Sequence, residues 1–105
     1  MLDRELDDGR FVVINASRED VPVGTVFVEM TLESGELVSG EFESEQLLSS
    51  CVALKLDAVE SWRRTVDVLP YGHNAAVQLS GAGLKELRKL LAGRAKNQFI
   101  HIAVA

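Results

Sequence analysis

The chain is predicted to be all-β: a closed antiparallel barrel of six or seven short strands with one short helix near the C-terminus. Three observations predict this. Residues 24–33 alternate apolar and polar side chains with period two. Glycine-, serine- and proline-bearing turns recur at short intervals along the chain. The period changes to that of a helix in one place, between Leu84 and Gly93. Full closure is the economical arrangement, because a barrel exposes few unpaired strand edges.

The elements follow in order. Arg10-Phe11-Val12-Val13-Ile14-Asn15 is a β-branched apolar run, read as a strand buried on both faces. Ala16-Ser17-Arg18-Glu19-Asp20 is a polar turn. Pro22 cannot donate to a ladder, so residues 21–23 belong at an edge or at the start of a strand. From Gly24 to Glu33, Val26, Val28, Met30 and Leu32 share one face, and Phe27, Glu29, Thr31 and Glu33 the other. Ser34-Gly35 supplies a hairpin turn. A weaker strand returns over Leu37–Phe42, with Gly40 as a bulge or bend. Residues 43–50 fit a loop or one helical turn. From Cys51 to Trp62 alternation resumes, Arg63-Arg64 interrupts it, and Thr65–Leu69 continues it. This gives two strands or one bent strand. Pro70-Tyr71-Gly72-His73-Asn74 is a turn and 75–79 a strand. Leu84, Leu87, Leu90 and Leu91 line one helical face, and Gly93 is placed to end that helix in the left-handed conformation. Residues 98–104 form the last strand.

At 105 residues the chain has the length of one domain, residues 1–105. Its acidic beginning has no apolar core segment, so no signal peptide is expected, and no run reaches the roughly 20 apolar residues of a membrane span. The single cysteine, Cys51, excludes an internal disulfide and fits the cytoplasm. Charge is asymmetric: residues 1–80 carry net −9 and residues 81–105 net +4. Phosphate backbones are bound by cationic surfaces, so nucleic acid is a disfavoured partner unless the basic C-terminal segment acts alone. That segment also reads as the solvated face of one helix.

Several motifs occur in a suggestive order: Gly24-Thr25-Val26, Glu33-Ser34-Gly35, Gly40, Val59-Glu60, Tyr71-Gly72-His73-Asn74 and Leu79-Ser80-Gly81. In this order and spacing, over about residues 21–92, the chain resembles the β-barrel second domain of translational GTPases of the elongation factor Tu and initiation factor type. The resemblance implies a stand-alone barrel of the translation-factor type that docks RNA or protein on one face. It implies no GTPase activity, because no Gly-x-x-x-x-Gly-Lys-Ser/Thr phosphate loop is present. The family's Gly-rich stretch before Gly-Thr-Val is replaced here by Glu19-Asp20-Val21-Pro22-Val23.

The residues with chemical potential have plain structural readings beside them. His73 reads as a turn residue at a position tolerating positive φ, and His101 as part of one strand's polar face. Two histidines and one cysteine show no metal-ligand spacing, so neither metal nor cofactor is expected. Cys51 lacks a visible base and reads as a small residue at a strand start. Gly81-Ala82-Gly83 lacks the third glycine of a dinucleotide fingerprint and reads as a strand-to-helix connector. The acidic series that includes Glu33 and Glu36 could meet a basic partner or keep the barrel soluble. Trp62 with Arg63 and Arg64 can anchor an interface, since Trp and Arg dominate hot spots. Alternatively, Trp62 closes a barrel end and the arginines neutralise nearby glutamates. The leading expectation is a non-catalytic module docking a protein partner through the Glu33/Glu36 hairpin face or the Trp62 patch. One concrete form is an immunity- or antitoxin-like protein opposing a basic toxin. A translation-associated RNA- or ribosome-binding accessory is the alternative, and a small enzyme the third.

Overall fold

The computed structural model describes residues 1–38 and 40–104, and the side chains of all of these except residues 36–38 and 42–44. The strands are β1 (Leu2–Glu5), β2 (Phe11–Ile14), β3 (Val21–Pro22), β4 (Val26–Val38), β5 (Glu41–Ser61), β6 (Arg64–Val66), β7 (Val68–Leu69), β8 (Asn74–Ser80) and β9 (Gln98–Ala103); α1 spans Leu84–Gly93. The sheet runs β4-β9-β1-β2-β8-β5-β6, and a further β4–β5 pairing joins the two sides. Six strands thus form a closed antiparallel barrel, with β6 as an extra strand on β5. The chain is all-β with one short helix, as the alternation predicts. β3 and β7 form a separate two-stranded sheet, and Pro22 occupies the kind of short edge its missing N–H allows.

The barrel is filled by inward side chains of every principal strand: Leu2, Phe11, Val13, Phe27, Met30, Leu54, Leu56, Val59, Val77, Leu79 and Ile100 are all buried. Leu87 of α1 is fully buried, with Leu84, Leu90 and Leu91 packed beside it on the core. The helix closes the end of the barrel where β1 finishes and β2 begins. There Arg88 donates to Glu5 at 2.8 Å and lies 5.8 Å from the Phe11 ring centre. α1 begins against β5: the Gly83 N–H donates to the Ala53 carbonyl. A Cβ on Gly81, whose φ is +125°, would stand 2.3 Å from the Ala53 carbonyl oxygen. The connector reading of Gly81-Ala82-Gly83 therefore has a steric basis.

Several local expectations change. β1 forms from a segment whose charges hide it: Leu2 is its one buried residue, and Asp3, Arg4 and Glu5 lie half-buried or exposed. The hairpin does not turn at Ser34-Gly35. β4 runs on to Val38, pairs with Glu41, and Gly40 (φ +82°) belongs to the turn rather than to a bulge. Residues 43–50 are neither loop nor helix but part of β5. The inward face of β4 is also not constant. Phe27 and Met30 are buried while Val26 and Val28 are exposed, because the register shifts between Phe27 and Glu29. A bulge exchanges the two faces of a strand, which strict alternation cannot foresee. Likewise the register shift between Leu56 and Ala58 moves the core position on β5 from Leu56 to Val59. β2 is buried on one face and half-buried on the other. Gly93 is not left-handed; α1 ends in extended Arg94, whose guanidinium donates to the Leu2 and Asp3 carbonyls.

Candidate functional site

Two surfaces stand out. The first is the β5–β6 hairpin. Ser61 pairs with Arg64, which leaves Trp62 and Arg63 as a two-residue loop. Such loops require positive φ at both central residues and favour Asn-Gly. Here the two are Trp62 (φ +54°) and Arg63 (φ +62°), the positive-φ residues other than glycine among the described residues. Each carries a cost of roughly 1–2 kcal/mol that glycine would avoid. The strain displays an indole that is 86% exposed. Trp62 therefore does not close the barrel. Arg63 and Arg64 are exposed and make no salt bridge among the described residues. Arg10 instead reaches Glu60 on this hairpin at 3.2 Å.

The acidic hairpin face divides differently. Glu33 is half-buried, paired across from Phe99 of β9, with its carboxylate 3.5 Å from His101 Nε2. The side chain of Glu36 lies outside the described residues. Glu33 and Trp62 are not brought together: Glu33 belongs to the β4–β9 ladder and Trp62 to the β5–β6 tip. The His101 pKa lies below its ordinary value. Burial is the largest cause, the N-terminal ammonium adds to it, and together they outweigh the opposing pull of Glu33.

The second surface is the barrel end opposite α1. There β2 and β9 finish and β4 begins, leaving a cavity of about 710 Å³. Its walls include Val13, Phe27, Leu56, Leu69, Val77 and Leu79, and loop 15–20 and His101 stand at its edge. The loop is organised by Asn15, which is buried. Its side-chain amide donates to the Glu19 carbonyl (2.8 Å) and the Leu69 carbonyl (2.9 Å). Its side-chain oxygen accepts from the Ser17 N–H (3.0 Å) and hydroxyl (2.6 Å). Backbone bonds from Asn15 to His73 and from Gly72 to Asn15, with the Tyr71 N–H donating to Asp20, tie the loop to turn 70–74. The sequence marks residues 16–20 only as a polar turn. Its one further signal is Asn-x-Ser, the pattern of a side chain that caps its own turn. His73 is exposed and serves through its backbone, and the positive φ of its turn belongs to Gly72. Cys51 is exposed within β5 rather than at a strand start.

Among the described residues no group of three or more His, Cys, Asp and Glu side chains is arranged to hold a metal ion, and no helix is long and apolar enough to cross a membrane. Comparison with protein families, curated proteins and solved structures gives no significant match. The functional reading therefore rests on the geometry of the molecule itself.

Proposed function

We propose that the protein is a non-catalytic binding module that docks a protein partner through the tip formed by Trp62, Arg63 and Arg64. The observation that carries this is the strained display of Trp62. A bulky aromatic that is 86% exposed occupies a turn position better suited to asparagine or glycine. Strained backbone at an exposed tip is a reason to look for function there. An indole flanked by two guanidiniums that make no salt bridge among the described residues suits a partner with an apolar pocket rimmed by carboxylates. This favours the cationic tip as the contact over the Glu33 face, where the carboxylate already has His101 beside it.

Trp62 is the one tryptophan of the chain, so its emission reports the tip directly. Affinity capture with the intact protein should retain a partner that Trp62→Ala and the Arg63→Ala/Arg64→Ala double variant release and Glu33→Gln keeps. Docking should shift tryptophan emission to shorter wavelength. Retention by both tip variants would refute the assignment.

A translation-associated accessory role draws on the order of the motifs from Gly24-Thr25-Val26 to Leu79-Ser80-Gly81. Its natural RNA contact is the basic segment 85–96. Within it Arg88 is paired to Glu5 and Arg94 to backbone carbonyls of β1. Lys85, Lys89 and Lys96 remain exposed. That reading requires binding to ribosomes or tRNA that weakens steeply with salt.

A further inference from the structure

We propose that the free edge of β5 is a self-association site, where a second copy of this chain pairs antiparallel about a two-fold axis at Leu48. β5 runs well beyond one of its neighbours. On one side it pairs with β4 from Glu41 to Lys55, but on the other its pairing with β8 begins only at Lys55. Among the described residues, the stretch from Glu41 to Val52 therefore has no strand on the β8 side. The connector to α1 meets this edge only at its end, where the Gly83 N–H donates to the Ala53 carbonyl. Alternate residues of an edge strand turn their N–H and C=O groups away from the sheet, ready to bond another strand. The Trp62 tip lies at the far end of β5, so this site is independent of the docking reading above.

Charge, proline and short length are the usual devices that keep such an edge from pairing. From Gln46 to Val52 the edge holds no charged residue, proline or glycine. Within that stretch the register shift between Leu32 and Glu33 inserts Leu47 into β5, and both adjacent leucines reach the surface, Leu47 45% and Leu48 43% exposed. The hairpin beyond also lacks support. β9 pairs with β4 no further than Ser34, which leaves the rest of the β4–β5 hairpin as a two-stranded ribbon. Such a ribbon is marginal in water without a further strand. The sequence of the edge fits itself. Pairing about Leu48 sets Leu48 against Leu48, Leu47 against Ser49, Gln46 against Ser50 and Glu45 against Cys51 of the second copy. No carboxylate is set directly against another, an arrangement that would be destabilising, and the exposed leucines come together at the centre of the contact. The acidic end of each edge runs toward Ala53 of the other copy, where α1 begins and Lys55 and Lys85 are exposed. Acidic thus meets basic at both ends. The symmetry axis supplies this match twice, so the occupant is a second copy of this chain.

The test is sedimentation equilibrium of the intact protein, which should show a dimer in exchange with monomer. Leu48→Lys sets two like charges opposite each other on the axis and removes the central apolar contact. It should weaken the dimer by at least about tenfold. Val28→Lys, at an exposed apolar residue of β4 away from this edge, and Trp62→Ala should leave the dimer unchanged. The register is tested by Leu48→Cys combined with Cys51→Ser, which under a mild oxidant should give a covalent dimer with a native circular dichroism spectrum. Glu41→Cys with Cys51→Ser, placed off the axis, should cross-link far more slowly. If Leu48→Lys fails to fold, the cross-linking pair decides. A protein that is monomeric at about 1 mM, a folded Leu48→Lys that dimerises as wild type does, or a dimer lost on Trp62→Ala would overturn the proposal. So would cross-linking through position 48 that is no faster than through position 41.

Discussion

Gly81→Ala adds a single methyl group, and the fold sets its cost. The new Cβ would stand 2.3 Å from the Ala53 carbonyl oxygen and 3.1 Å from its carbon, both backbone atoms of β5. These cannot swing away as a flexible side chain would. The backbone at φ +125° is also a conformation that a residue with a Cβ adopts only under strain. The strain costs about 1–3 kcal/mol, and forcing atoms into a filled space about 1–3 kcal/mol more. The expected loss is therefore about 2–6 kcal/mol, against a total stability of about 5–15 kcal/mol for such a domain. At about 4–8 °C per kcal/mol, the melting temperature should fall by at least about 8 °C. Thermal and urea unfolding followed by circular dichroism measure this directly. Gly93→Ala is the control: no atom lies within 4 Å of its added Cβ and its φ is not positive, so it should stabilise by a few tenths to about 1 kcal/mol. A Gly81→Ala protein within about 0.5 kcal/mol of wild type would refute both the close approach of the connector to β5 and the glycine-specific conformation.

The hairpin tip should show opposed effects on stability and binding. Trp62→Asn with Arg63→Gly supplies the residues the turn favours, so urea unfolding should show a gain of about 1–2 kcal/mol while partner capture is lost. Asn15→Ala leaves the Glu19 and Leu69 carbonyls without their side-chain donor, and should cost about 1–3 kcal/mol in the same assay. A change within experimental error would remove Asn15 as the organiser of its loop. His101 has a folded pKa below its unfolded value. The unfolded chain therefore binds more protons as pH falls through about 6.5, and stability declines on that side. His101→Gln should lose less stability between about pH 7 and pH 5 than wild type does; an equal or greater loss would show that His101 does not contribute this slope.

What could be read in the sequence was the periodic part. The alternation of 24–33 and 51–59, the turn at 70–74 and the leucine spacing of 84–93 placed strands and helix where they lie, and closure followed from the need to bury edges. β1 was not legible: in a four-residue strand whose one buried side chain is Leu2, charge masks any pattern. The faces of β4 and β5 were not legible beyond their bulges, since one extra residue reverses the phase and carries no compositional mark. The hairpin turn was placed at Gly35 because both Gly35 and Gly40 satisfy a turn locally. The longer ladder decided for Gly40. Trp62-Arg63-Arg64 was visible as a cluster, but its exposure depends on a two-residue turn that neither residue favours. The cavity was invisible, because its lining joins core residues to loop 15–20 and the end of β9, which no sequence pattern brings together.

The pairing of β1 with both β2 and β9, and of β9 with β4, has a consequence for biosynthesis. Until residues 98–103 leave the ribosome, β1 and β4 each present an unpaired row of amides, and the cylinder stays an open sheet. Chains lacking that segment would be adhesive intermediates, because β9 is the strand that covers both edges.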